Sequence, residues 1–488
     1  MSRRAIPALV VVVVGLAAIA VAGRETPATA DPVFAAEEVR WMPSVADEEV
    51  LTDTWFCPGV PASGEEGIGG EVIVANRDAQ PITGRFAILT EDGVGAEQEF
   101  SVDAFSRRSI DVDAFVTADY ASAVVEIDGG RGVVEQQAVH PDGDSIAPCA
   151  NDTSDEWYLA DGYTVDGSLE TLILTNPHDS AAVANLGFAT QFGASTPNQF
   201  QGFPIPPHSV KTIRIAELGA RDEPVIAVNV EVSSGRVVLG RAQQYLGGGR
   251  NGYDVSLAAP ALRDQWWFAD GEVGPGITET FSIYNPTEKS VDVDAVFLGL
   301  PAEAEFGYDD TITVPGGEVV LLDPSGIELI PDGRHAAVFS TLAEPSIVVE
   351  RVLTRPIDDD SLAPDDRVYT TVVLGASQRI DGYVASQWHL GTGPDTAVPE
   401  VLVVLNIDNQ PGTVTVSAVG PGGATPVPSL TDIPVGPGAI VLVDLDSEAV
   451  LDRELIVNAT NRVFIERLYP RGEGLSGRSG SWALPFDP

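Results

Sequence analysis

Trp157-Tyr158-Leu159-Ala160-Asp161-Gly162 decides how this chain is read, because it returns as Trp267-Phe268-Ala269-Asp270-Gly271. After each copy an apolar stretch ends in Asn-Pro, at Asn176-Pro177 and Asn285-Pro286, and a long run of strand-like sequence follows. Altered versions stand on either side. Trp55-Phe56-Cys57-Pro58-Gly59 opens the first unit, and Ile380-Asp381-Gly382 precedes Trp388 in the last. From the Asn to a later Arg or its equivalent the spacing is 60, 65, 66 and 61 residues, measured from Asn76 to Gln136, Asn176 to Arg241, Asn285 to Arg351 and Asn406 to Arg467. Four matched spacings predict four repeats, at 51–150, 151–262, 263–374 and 375–471.

Within the repeats the apolar residues run at period two. Ile226, Val228, Val230 and Val232 alternate with Ala227, Asn229, Glu231 and Ser233, as in a strand with one buried face. Ser234-Gly235 then turns the chain into Val237-Val238-Leu239-Gly240-Arg241. No amphipathic helical stretch stands out beyond the N-terminal segment. Short strands separated by Gly, Pro and Asp turns predict an all-β chain of four tandem immunoglobulin-like β-sandwich domains. A propeller built from blades of roughly 40–50 residues is set aside, because the period is about twice that.

Arg3 and Arg4 precede an uncharged run from Ala5 to Gly23, and Ala28-Thr29-Ala30 stands before Asp31. Residues 1–30 therefore read as a signal peptide or a retained signal-anchor helix, with 31–50 as an acidic spacer. Both readings place the remainder outside the cytoplasm, secreted or anchored to the membrane through the N-terminal segment. The last residues, 472–488, are rich in Gly and Ser and read as a tail, with Trp482 and Phe486 able to dock it.

With 27 basic against 72 acidic residues the net charge is −45, which repels phosphate backbones and excludes nucleic acid as a partner class. The acidic residues read as a solvated surface. Asp358-Asp359-Asp360 with Asp365-Asp366 offer hard oxygens to calcium, without the ordered loop spacing that calcium sites use. The cysteines, Cys57 and Cys149, stand at opposite ends of the first repeat, where a disulfide suits an exported domain. In the chain-entropy picture such a bridge stabilises by about 4 kcal/mol.

Asp161, Asp270 and Asp381 occur in the repeats that end in Arg241, Arg351 and Arg467, whereas the first repeat lacks both and carries Gln136. Joint presence and absence predicts structural ion pairs within each repeat, Asp161 with Arg241, Asp270 with Arg351, and Asp381 with Arg467, since a guanidinium among apolar neighbours needs a carboxylate. In Trp266-Trp267 adjacent strand residues face opposite ways, so one indole is expected to serve as a ligand platform or an interface anchor.

Enzyme signatures are missing. His140, His178, His208, His335 and His389 show no ligand spacing for a metal, and neither a Gly-x-Ser-x-Gly elbow nor a Ser-x-x-Lys nucleophile occurs. Gly247-Gly248-Gly249 reads as a loop rather than a phosphate cradle, because no helix pattern follows. No catalytic residue, metal or cofactor is assigned.

The order Trp-aromatic-x-Ala-Asp-Gly, Asn-Pro, a proline turn such as Val314-Pro315 or Pro206-Pro207, and Val349-Glu350-Arg351 resembles repeats in secreted actinobacterial proteins of a family with no assigned function. The resemblance covers about residues 50 to 470 and implies an envelope-associated chain. The expectation is a non-enzymatic, extracytoplasmic scaffold or adhesion protein whose partner is an envelope polysaccharide or another envelope protein. The alternatives are a glycan-binding module using exposed aromatics and, more remotely, a secreted hydrolase.

Overall fold

The computed structural model describes residues 42–46, 51–300, 311–342, 344–358, 367–377, 385–394, 398–472 and 474–487. The signal or anchor segment lies outside them. Among the described residues no helix is long and apolar enough to cross a membrane.

The strands form eight sheets, and the first unit shows how. Thr52–Ala62, Ala118–Asp128, Ile82–Thr90 and Gly93–Val102 lie side by side in one sheet; Ser106–Asp111, Gly69–Asn76, Gly132–Val139 and Ser145–Pro148 form the other. The chain alternates between the two sheets. Each later unit repeats the pattern, so each unit makes one sheet whose last strand reaches the molecular axis and one that stands between two such sheets. We call these the axial and the intervening blade.

Each intervening blade packs on the axial blade of its own unit and on that of the next, and unit 4 packs back on unit 1. The result is a closed eight-bladed β-propeller. This overturns the expectation of four tandem immunoglobulin-like β-sandwich domains: the sheets share faces around a ring and no unit stands alone. The period that argued against a propeller has a simple cause. One unit interleaves its strands to make two blades, so the sequence repeats every second blade.

Four last strands, Ser145–Pro148, Gly252–Leu257, Val368–Leu374 and Arg478–Trp482, touch in cyclic order and close the centre. At one end Met42, Ile146, Val255, Val372 and Trp482 enclose an apolar cavity of only about 40 Å³. The supposed tail is thus part of the ring. Trp482 is buried and donates from Nε1 to the Leu374 carbonyl at 2.7 Å, and Leu484–Asp487 adds a strand to the last blade, where Val45–Ala46 pairs with it in parallel.

The repeated Asn is a hairpin clamp. Asn176 is fully buried, and its Nδ2 donates to the carbonyls of Ser180, Ile205 and Pro206 at 2.8–3.1 Å while its Oδ1 accepts from the His178 amide. Asn76, Asn285 and Asn406 do the same in their units. A buried amide that meets most of its hydrogen-bonding capacity in this way fixes both the turn after its strand and the loop returning beside it.

Candidate functional site

The repeated Ala-Asp-Gly and Glu-Arg motifs meet between units, not within them. Arg241 in unit 2 reaches Glu350 in unit 3, with Nη2 to Oε1 at 2.7 Å and Nη1 to Oε2 at 3.2 Å, and both side chains are buried. The same Glu350 Oε2 accepts the backbone N–H groups of Ala160 and Asp161 at 2.7 Å each. Arg351 repeats this with Glu466, whose Oε2 accepts from the amides of Ala269 and Asp270 at 3.2 and 3.1 Å. Arg467 closes the ring on Glu135 at 2.8 Å, and the amides of Gly391 and Thr392 bond that carboxylate. The Ala-Asp step is therefore a carboxylate receptor for the following unit.

The expected Asp161–Arg241 pair is replaced accordingly. Arg241 bonds the backbone carbonyl of Asp161, while the Asp161 carboxylate accepts from Ser282 Oγ at 2.8 Å. Asp270 does lie 3.8 Å from Arg351 but is held more closely by Arg334 and by Arg355, at 2.8 and 3.0 Å. Asp381 lies outside the described residues, as do Asp359, Asp360, Asp365 and Asp366. Arg467 takes Glu400 as its second carboxylate. In unit 4 the receptor is Gly391-Thr392, directly after Trp388-His389-Leu390, the same offset from Trp388 as Ala160-Asp161 has from Trp157.

Register also decides the tryptophans. Trp55, Trp157, Trp266 and Trp388 are the equivalent residues, all buried. Trp266 is therefore the core anchor of its unit, its Nε1 donating to the Ile347 carbonyl at 2.9 Å. Trp267 is half-buried and packs on Phe464 of the next unit, centroids 5.3 Å apart, an interface contact rather than an open platform. Cys57 and Cys149 form the expected disulfide.

Polar groups beyond what the ring requires include His335 with Glu279 and His389 with Glu454, each buried, and two further places around unit 2. The first lies inside unit 2, where Asp161 Oδ2, both Glu170 oxygens, Arg241 Nε, Tyr245 Oη and Arg250 Nη1 are buried without hydrogen-bond partners in the protein. In unit 3 the position of Tyr245 is Arg355, whose guanidinium fills the corresponding space. Burial pushes the Glu170 carboxyl up to about 8 and raises that of Asp161. Asp270 goes the other way: against the cost of burial, Arg355, Arg351 and Arg334 bring it down to about 2.

The second is a cleft of about 330 Å³ between the intervening blade of unit 1 and the axial blade of unit 2. Tyr120 lines one wall; Thr171, Ala242, Gln244 and Tyr253 line the other. It exists because Thr171 and Ala242, a cross-strand pair, are small. The matching pairs are Thr280–Val352 in unit 3, Val401–Leu468 in unit 4 and Glu71–Gln137 in unit 1. At the mouth Arg214 bonds Asp119 at 2.7 Å and Glu217 at 3.5 Å.

The back of the cleft joins a polar cluster near the axis. His140 stacks on Tyr253 at 4.1 Å, and the Gln244 amide donates to Asp142. Beside them Asp254 accepts from Ser145 Oγ at 3.4 Å and from the Val372 amide at 3.3 Å, contacts that span three units. Burial pushes Asp254 up to about 7. Arg471 of unit 4, its own pKa lowered by burial, donates to the Asp142 carbonyl and stabilises the charge on Asp254.

Residues 132–261 match a family of unknown function, DUF5719. The matched span runs from the closing strands of unit 1 to the end of unit 2 and holds the cleft wall formed by Thr171, Ala242, Gln244 and Tyr253. A crystal structure of Thermotoga maritima 1070 is similar at 18% identity, covering 22% of this chain and 94% of that one with a TM-score of 0.20. Curated proteins give no match.

Proposed function

We propose that the chain is a non-enzymatic binding protein of the cell envelope, held outside the cytoplasm and presenting a rigid propeller to an envelope polysaccharide or protein. The family matched over 132–261 is, in this reading, the secreted actinobacterial one that the Trp-x-x-Ala-Asp-Gly units resemble. The observation that carries the binding role is the cleft at the seam of units 1 and 2, whose volume falls in the range of small-molecule sites, about 300–1,000 Å³. Its polar groups belong to five strands and one turn fixed by the ring. Preorganised walls of this kind lower the ordering cost of binding.

The compartment is supported separately. A disulfide persists in oxidising surroundings, and a net charge of −45 suits an exposed, solvated surface. The test is fractionation of native cells followed by pull-down of isolated envelopes with the purified chain lacking residues 1–30. Recovery in envelope or medium, with envelope binding, supports the reading. Recovery in the cytosol alone overturns it.

A further inference from the structure

From the chemistry of the cleft walls we infer that its ligand is a neutral saccharide unit, an inference that rests on the binding role proposed above. Charge argues first. The only guanidinium at the mouth among the described lining residues, Arg214, is already balanced by Asp119 and Glu217, so an anion meets no free positive charge there and faces a protein of net charge −45. Besides Glu170 and Glu217, the walls offer a set of neutral hydrogen-bonding groups, the phenols of Tyr120 and Tyr253, the Thr171 hydroxyl and the Gln244 amide, set among the apolar surfaces of Leu169, Ala242, Ala216 and the tyrosine rings.

A sugar ring matches both kinds of surface. Its hydroxyls donate and accept, as phenol, hydroxyl and amide groups do, and its C–H faces lie on apolar walls. The Tyr120 hydroxyl lies 3.4 Å from that of Tyr253 and also bonds the Thr171 hydroxyl, so the two walls meet at this point and a sugar hydroxyl would bind by exchanging with these neutral bonds. Arg214 and Glu217 at the rim present a planar donor pair and a carboxylate, which bond vicinal hydroxyls without needing a charged ligand.

The internal repeat supplies the control. Unit 4 carries Leu468 where unit 2 has Ala242, and there the strand pair Val401–Leu468 fills the corresponding space. Ala242→Leu therefore fills the cleft with a side chain this fold already accommodates at that position, and no charge changes.

The full propeller, residues 31–488, is titrated by calorimetry with methyl α-glucoside, methyl α-mannoside, methyl β-galactoside, maltose and cellobiose, with glucuronate and choline as charged probes. Binding of at least one neutral sugar, abolished by Ala242→Leu at unchanged melting temperature and weakened roughly tenfold by Tyr120→Phe, is the expected result. Glu217→Gln at the exposed rim should weaken it less and keeps the test open if a cleft variant unfolds. Binding of glucuronate or choline in preference to every neutral sugar overturns the inference. So does envelope capture that proceeds undiminished by Ala242→Leu, and in that case the envelope-binding role stands without it. If envelopes are not captured at all, the role itself fails.

Discussion

The seam between units 1 and 2 differs from the other three, and the difference explains both. Elsewhere each unit hands a carboxylate to the unit before it and a guanidinium to the unit after it, from neighbouring residues of one strand. Unit 1 has Gln136 in place of the arginine, and unit 2 has Gly240 in place of the glutamate. Gln136 turns instead to Gly59, accepting its amide at 3.0 Å and donating to its carbonyl at 3.1 Å. A Cβ on Gly240 would stand 2.5 Å from Pro58 Cβ, so Pro58 occupies the space a glutamate would need. Pro58 also replaces one of the two amides that receive a carboxylate elsewhere, and it has none to offer. All three differences lie at one seam and together make it neutral where the others are charged. The neutral seam is also where the cleft lies and where a disulfide staples the flanking unit.

The largest expected effect breaks a charged seam. Arg351→Met should strand Glu466 without its guanidinium and destabilise by about 3–5 kcal/mol in chemical denaturation. Gln136→Met, at the same position in the neutral seam, should cost only about 1–3 kcal/mol, because two neutral hydrogen bonds are lost and no charge is stranded. Equal costs would mean that the seams do not differ in the way described. Between these falls the staple. Cys57→Ser with Cys149→Ser should cost about 2–5 kcal/mol, and reducing agent should destabilise the native chain but leave the double variant unmoved.

Proton linkage sharpens the contrast further. Asp254, with pKa raised to about 7 by burial, contributes stability that is full below the ordinary carboxylate range and is lost as pH rises toward 7. Glu170 acts in the same direction up to about 8. Asp270, held at about 2, contributes stability above the ordinary range that is lost as pH falls toward 2. The denaturation midpoint should therefore peak near mildly acid pH. Asp254→Asn should flatten the decline between pH 5 and 7, by up to about 1.4 kcal/mol per pH unit, and an unchanged slope would place that proton elsewhere. The smallest effect at neutral pH belongs to Trp267→Leu, expected to cost about 1 kcal/mol if its indole serves only the contact with Phe464.

Strand content, the recurrence of the Asn and the Cys57–Cys149 link were legible from residue order because each depends on neighbours in one strand or on a fixed spacing. The ring was not. An Asp and an Arg that appear together read as partners, yet Val349-Glu350-Arg351 and Ile465-Glu466-Arg467 already held the second carboxylate beside the guanidinium. A residue does not readily pair with its sequence neighbour on the opposite strand face, so that Glu needed a partner other than the Arg beside it, and the ring supplies one from the preceding unit. Seeing it required knowing that unit 4 meets unit 1. The cleft had a signal too, in Ala242 against Val352 and Leu468 at matched positions, but an empty space has meaning only once the facing blade is known.

Glu135 and Arg467 meet across 332 residues of chain, and the last blade is completed by Leu484–Asp487. The ring therefore has no stable half-built form in which every buried charge is met. During synthesis from the N-terminus Glu135 waits for nearly the whole of the remaining chain, so folding combines high contact order with late, cooperative closure.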